Sequence, residues 1–322
     1  MATSTLQREA TAEDRQVRKN PILVTGSHRS GSTWVGRMLA KAPGVGYIHE
    51  PFSLGTSPGV ASLPLKYWFH YVSDHNADEF YPQLKRTLDF RYDLSAEIRA
   101  IRKPRHVGRI VRHRPRFWKH RAIKGRPLMK DPLAFFSAEW LASTFDMDVV
   151  LLVRHPAAFA SSIMRFEWNH DFTQFLDQPE MMRDLLTPFE DDIRRMAATR
   201  HPIIEQAALL WNIINTITLQ YRDRHPEWLL FRHEDLSRDP LAGFESMMRE
   251  LKIPYTDKTL AEIEAHTSSK NPKDAPSGGD TLVRDSKANI ANWKKRLSEK
   301  EIELIRTSVE DVSRHFYADS DW

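Results

Sequence analysis

The chain has 322 residues, 41% of them hydrophobic, enough for a sizeable buried core; the length fits one large α/β domain or two small ones, and one if a single sheet accounts for the motifs. Its net charge of +4 suits an anionic ligand without specifying one. The absence of cysteine excludes a disulfide framework, a thiolate metal site and a cysteine nucleophile. Residues Met1–Asn20 are polar and read as a flexible tail without the apolar centre of a signal peptide. No apolar run approaches the ~20 residues that span a bilayer. The expectation is a soluble, cytoplasmic protein with one domain over residues 21–322.

Ile22-Leu23-Val24 is a short, β-branched run and reads as a buried strand. Gly26-Ser27-His28-Arg29-Ser30-Gly31 follows as a turn of small residues, and Ser32-Thr33 open a helix to about Ala42, with Trp34, Val35, Met38 and Leu39 at helical spacing. Strand, glycine-rich loop and helix N-terminus together form a phosphate-binding arrangement, using backbone N–H groups and the positive end of the helix. The glycines fit the P-loop pattern GxxxxGK, but Ser32 stands in place of its lysine and the loop's cation is Arg29. That composition suits one phosphate plus a further anionic group better than a magnesium-bound triphosphate. A generic Gly/Ser turn is the plainer alternative.

Val45–Ile48 reads as a second strand, parallel to the first through a right-handed crossover. Glu50 then falls at the same carboxyl edge of the sheet as the loop, where open α/β sheets bind ligands. Residues 53–125 carry scattered aromatics and weak strand signals, as expected of helices and loops covering the sheet on its acceptor side. From Arg99 to Lys130 there are thirteen Arg or Lys and no acidic residue. Such a run is either a solvated helical face or a surface for an acidic acceptor, an anionic membrane or nucleic acid.

Pro127–Lys130 reads as a short strand, followed by a helix through Phe145, and Val149–Val153 as a fully buried strand leading to a helix from Pro156. Asp171–Thr199 is charged and predicted helical, Ile203–Arg222 a long amphipathic helix, Trp228–Phe231 a strand. A helix follows Pro240, a Pro/Gly/Ser loop covers Asn271–Asp280, and a last helix covers Ser298–His315. The fold class is therefore α/β, a central parallel sheet with helices on both faces.

These motifs resemble, in order, those of sulfotransferases that use 3′-phosphoadenosine-5′-phosphosulfate (PAPS). The family's 5′-phosphosulfate loop is Lys or Arg, then Ser-Gly, then two Ser or Thr, often with Trp next. Here it is Arg29-Ser30-Gly31-Ser32-Thr33-Trp34. The 3′-phosphate motif, an Arg at a strand end and a Ser eight residues on, is matched by Arg154 and Ser162. HEDLSRDP resembles the family's Y-E-D-L-x-x-D-P, with His233 at the tyrosine position. Lys287 and Trp293 match the spacing of R-K-G-x-x-x-D-W, although Ser286 replaces its Arg and Arg284 lies nearby. Glu50, twenty-one residues after Arg29, and the Lys130-Asp131-Pro132 triplet resemble the tyrosylprotein branch.

The resemblance implies a P-loop-like fold and sulfuryl transfer to an acceptor hydroxyl on a glycan, glycolipid or other hydroxylated metabolite. Adenosine 3′,5′-bisphosphate (PAP) is released, and no metal is required. Arg29 would stabilise the leaving phosphate, Ser32 and Thr33 would bind it, Arg154 and Ser162 would clasp the 3′-phosphate, and Trp34 would stack on adenine or pack in the core. Glu50 is the candidate general base, with salt bridging as its structural alternative and His49 and His28 as competing bases. His49 is expected to face away from Glu50 if the strand pleat persists. Lys130 would contact the transferring group or pair with Asp131. The rivals are an ATP-dependent small-molecule kinase and a non-catalytic module binding an anionic polymer or surface through Arg99–Lys130; no nucleic-acid partner is expected, and peripheral membrane contact is compatible with the basic run.

Overall fold

The computed structural model describes residues 19–268, 271 and 285–322, without the side chains of Arg105 and Asn289. Five parallel strands, β1 (Ile22–Gly26), β2 (Val45–His49), β3 (Arg126–Lys130), β4 (Asp148–Val153) and β5 (Leu229–Arg232), form one sheet in the order β2-β3-β1-β4-β5. β1 is buried along its whole length because it is central and covered on both faces. Ile22 and Val24 point into a core shared with Val35 and Met38 of α1 (Ser32–Leu39) and with Phe244 and Met247 of the helix Pro240–Glu250. Leu23 points the other way, into the larger core built around Trp211 and Tyr221 of the 22-residue helix Ile203–Arg224.

The register places the strand ends side by side: His49 opposite Lys130, Val24 opposite Lys130, Gly26 opposite Leu152 and Val153 opposite Arg232. The chain runs to β2 and β3 on one side of β1 and to β4 and β5 on the other. The loops after β1 and β4 therefore diverge and leave a crevice between them, the usual ligand position in open α/β sheets. Arg29 and Arg154 follow those two strands.

Three expectations need correcting. The first helix ends at Leu39 rather than Ala42, because Ala40–Ala42 turn out of it ahead of Pro43 and of Gly44 at φ +80°. Asp171–Thr199 is not one helix but a series of short turns, including a π-type turn at Met182–Leu186, before a regular helix at Glu190–Ala198. Pro179 and Pro188 each deprive the backbone of a donor in that stretch. The pleat of β2 stops at Glu50, which takes φ +44°, so His49 does not face away: its Nε2 lies 3.9 Å from Glu50 Oε2. The Pro/Gly/Ser loop of 272–280 and the tail before Lys19 lie outside the described residues. Among the described residues no helix is long and apolar enough to cross a membrane.

Buried histidines set an expected acid response. Burial pushes His28 and His155 down to about 3 and His170 to about 4. Each stays neutral in the fold but protonates below about 6.5 once unfolded. The unfolded chain then binds more protons, so the stability these groups confer is present above pH 6.5 and is lost as pH falls, by up to about 1.4 kcal/mol per pH unit for each. Asp131 opposes this: burial raises it to about 7, so its contribution is present below about pH 4 and is lost as pH rises towards 7. His70, also pushed down to about 4, adds to the first set and the buried, raised Glu234 to the second, and four histidines against two carboxyls make the melting temperature fall between pH 6.5 and pH 5, measurable by circular dichroism. A melting temperature that rose on acidification would contradict these burial assignments.

Candidate active site

The loop after β1 is shaped by close backbone approaches. A Cβ on Gly26 (φ +132°) would lie 2.3 Å from the Leu152 carbonyl oxygen, so only glycine lets the loop close against β4. Arg29 and Gly31 both take positive φ, the first at +66° and the second at +94° ahead of α1. The missing Cβ of Gly31 is 2.5 Å from His233 Nδ1. His233 thus sits over the loop from the start of the helix His233–Arg238, and Trp34 meets its ring edge-on at 5.6 Å.

Residues matched to separate motifs meet here. Arg29 Nε donates to Ser162 Oγ at 2.9 Å, and Arg154 Nη1 donates to the Arg29 carbonyl at 2.7 Å. The Arg29 guanidinium also lies 4.5 Å from the centroid of the Phe166 ring and 5.6 Å from that of Trp168. The helix Pro156–Arg165 carries Ser161 and Ser162 to this point. Arg29, Gly31, Ser32, Thr33, Trp34, Arg154 and Ser162 line one cavity, together with Ser161, Arg165, Phe166, His233, Trp293 and Arg296.

This donor set fits an anionic nucleotide. It combines four arginines, a helix N-terminus and aromatic rings, and the Ser161 hydroxyl is buried without a hydrogen-bond partner. Ser30 is buried beneath the loop rather than lining the cavity. Trp34 packs edge-on against Phe244 at 5.1 Å while also lining the cavity, so it serves the core and the site together. Lys287 is exposed in the turn Lys287–Asn289 and does not line the cavity, although its neighbour Ser286 does. Arg284 lies outside the described residues.

A second cavity lies on the other side of the loop. It shares Arg29, Ser32 and Thr33 with the first and is otherwise lined by groups that include Glu50, His28, Trp68, Leu133 and Trp168. Lys130, fully buried, forms a short ion pair with Glu50 rather than with Asp131. Burial lowers the Lys130 pKa, and the adjacent Glu50 carboxylate opposes that fall. The Glu50 backbone is pinned as well, its N–H donating to the Lys130 carbonyl at 2.9 Å and its carbonyl accepting from Ser53 N–H at 3.1 Å. Asp131 instead accepts from the N–H groups of Phe52 (2.6 Å) and Leu133 (2.9 Å), tying the turn after Glu50 to the end of β3.

Sequence reasoning left several cavity residues unassigned. Arg165, Phe166 and Trp168 follow Ser162 closely, and exposed aromatics just past a motif helix were the available signal. Arg296 and Ser161 gave none. Glu234 and Asp235 are structural: Glu234 accepts from His155 N–H (3.1 Å) and Tyr317 hydroxyl (2.9 Å), and Asp235 pairs with Arg232 and Arg238. Among the described residues no group of three or more His, Asp or Glu could hold a metal ion.

Among solved structures, the chain is similar to the sulfotransferase domain from the curacin biosynthetic pathway, at 14% identity over 91% of this chain and 98% of that one, with a TM-score of 0.48. Mouse sulfotransferase SULT7A1 complexed with PAP gives 13% identity over 93% and 85%, with a TM-score of 0.44. Sulfotransferase STF9 from Mycobacterium avium gives 17% over 95% and 79%, also with a TM-score of 0.44. No curated protein matches the chain in sequence. The model of the sulfotransferase family, however, matches residues 21–257, through every strand and both halves of the cavity lining up to His233: the chain belongs to the sulfotransferase family.

Proposed function

We propose that the chain, with residues 21–322 acting as one catalytic unit, transfers the sulfuryl group of PAPS to an acceptor hydroxyl and releases PAP. The observation that carries this reading is the pair of cavities meeting at Arg29, Ser32 and Thr33, with Arg154 and Ser162 on one side and Glu50 on the other. A transfer between two bound molecules needs a donor and an acceptor held on opposite sides of the reacting centre.

PAPS supplies a sulfuryl group already joined to a phosphate leaving group. Ser32 and Thr33 bind that 5′-phosphate with hydroxyl and N–H donors at the start of α1. Arg29 offsets the negative charge that builds as the bond breaks, and its hydrogen bond to Ser162 presets its position. Arg154 and Ser162 hold the 3′-phosphate, with Ser30 and Gly31 shaping the loop and Trp34 beside the adenine. Lys287, exposed beside the cavity-lining Ser286, is the further candidate for the 3′-phosphate. Glu50 takes the acceptor proton, and Lys130 fixes its carboxylate from beneath.

The acceptor cavity presents two tryptophans, Trp68 and Trp168, each about two-fifths exposed and arranged edge to face at 6.5 Å. Such rings stack on the apolar faces of sugars and other cyclic alcohols, which supports a glycan, glycolipid or similar hydroxylated acceptor. Residues 53–125 supply part of that wall through Ser53 and Trp68. The cytoplasm is the proposed compartment, in keeping with a chain that carries no cysteine.

The test is transfer of radiolabel from 35S-labelled PAPS to a panel of glycolipids, free sugars and cyclic alcohols. The expected result is label on a hydroxyl of at least one ring-bearing acceptor, with Trp168→Ala raising the acceptor KM more than it changes PAP affinity. Phosphorylation of such acceptors from ATP, with no labelled product from PAPS, would overturn the proposal.

A further inference from the structure

The middle of the basic run of 99–130 forms a helix, Val107–Ala122, that packs on the sheet by one side only. Phe117 is buried against Phe90 and Tyr92 at ring distances of 5.7 and 5.9 Å, and His120 lies 5.2 Å from Phe90. On the far side Val107, Val111 and Trp118 stand at i, i+4 and i+11, which is one stripe of a helix. Val111 is 72% exposed and Trp118 is 73% exposed, more than any other large hydrophobic residue among those described. Helical spacing puts the exposed Arg114 and Arg121 along one edge of the stripe, with the exposed Lys119 and Arg112 further round on the other side. The acidic group facing this helix is Glu97, which is buried, with Oε1 3.9 Å from Arg109.

We propose that this face docks on an anionic lipid bilayer, with Trp118 and Val111 inserted at the headgroup level and the flanking arginines on lipid phosphates. A nucleic acid or acidic polymer would engage the cations but leave the apolar stripe in water. A bilayer interface satisfies both at once, since an apolar stripe bordered by Arg and Lys is what lies in that plane. The surface is also joined to the site. The Glu97 carboxylate that faces Arg109 accepts from Gly59 N–H at 2.9 Å and from the Ser57 hydroxyl, and the same loop, through Ser53 and Thr56, holds the Glu50 carbonyl. Docking would bring the acceptor cavity to lipid-borne alcohols such as glycolipids. That choice of acceptor rests on the proposed sulfuryl transfer, whereas the docking itself does not.

The full chain should co-sediment with vesicles of phosphatidylcholine plus phosphatidylserine, bind far less to phosphatidylcholine alone, and dissociate as salt is raised. Trp118→Ser with Val111→Ser should weaken vesicle binding by about tenfold or more, since it removes the inserted apolar surface. Arg114→Glu with Arg121→Glu should abolish the preference for phosphatidylserine. Both variants alter exposed residues, and unchanged thermal stabilisation by PAP would show that each is folded with its nucleotide site intact. Two results would overturn the proposal: no binding to phosphatidylserine vesicles, or vesicle binding that the Trp118→Ser/Val111→Ser variant retains in full. Heparin or RNA bound equally by that variant and by wild type, without vesicle binding, would assign the face to a polyanion instead. Failure of sulfuryl transfer with docking intact would count against the function alone.

Discussion

Glu50→Gln is expected to lower kcat by about 10²–10⁴-fold, the usual contribution of a general base, while PAP affinity stays nearly unchanged. Glutamine keeps the size of the side chain and an oxygen for the Lys130 ammonium, but it cannot accept the acceptor's proton. Because the Lys130 side chain is fully buried, loss of the partner carboxylate is expected to lower the melting temperature as well, so the rate is read on the folded, PAP-binding fraction. Nucleotide binding on the other side of the loop is untouched, because Glu50 lines only the acceptor cavity. Single-turnover rates together with PAP titration separate the two effects. Full activity in Glu50→Gln would move the proton to another group: His49, whose Nε2 is 3.9 Å away, or His28, in the same cavity and held neutral by burial.

The second large effect is expected from Arg154→Ala. A hydrogen bond to a charged group is worth about 1.5–3 kcal/mol, so loss of the 3′-phosphate contact should weaken PAP binding by about 10–150-fold. AMP, which has no 3′-phosphate, should bind the variant and wild type almost equally. The comparison matters because Arg154 has a second contact, its 2.7 Å hydrogen bond to the Arg29 carbonyl. If Arg154 served only to hold the loop, affinity for AMP and PAP would fall together. Calorimetric titration with both nucleotides distinguishes these outcomes.

Those two residues also show how much of the site was legible in the sequence. The strands around β1 and β4 were readable because each is an apolar, β-branched run too short for a helix and buried on both faces. Parallel topology then sent Arg29, Glu50, Lys130 and Arg154 to one sheet edge without knowledge of any contact. Side-chain partners were not legible. Lys130 turned to Glu50 because Asp131 is occupied by the N–H groups of Phe52 and Leu133, contacts that depend on where a distant turn lands. The approach of His49 to Glu50 depends on a single left-handed φ that no local pattern announces. His233 over Gly31, and Trp168 beside Arg29, are tertiary contacts between segments far apart in the chain. The Asp171–Thr199 stretch failed for a local reason, since charge pattern suggested a helix that two prolines divide.

The basic helix illustrates the opposite case. Its composition allowed either a solvated face or an anionic partner, and only the orientation of Phe117 inward leaves Val111 and Trp118 outward together. An exposed run of arginine alone would carry little meaning.

The cavity between Arg29 and Arg154 is the proposed binding site for PAP. The most direct measurement is thermal stabilisation of the chain by PAP, ADP and ATP, each with and without magnesium. The expected result is a rise in melting temperature with PAP that needs no metal, exceeds that with ADP or ATP, and is largely lost in Arg154→Ala. Stabilisation by ATP with magnesium and none by PAP would contradict it.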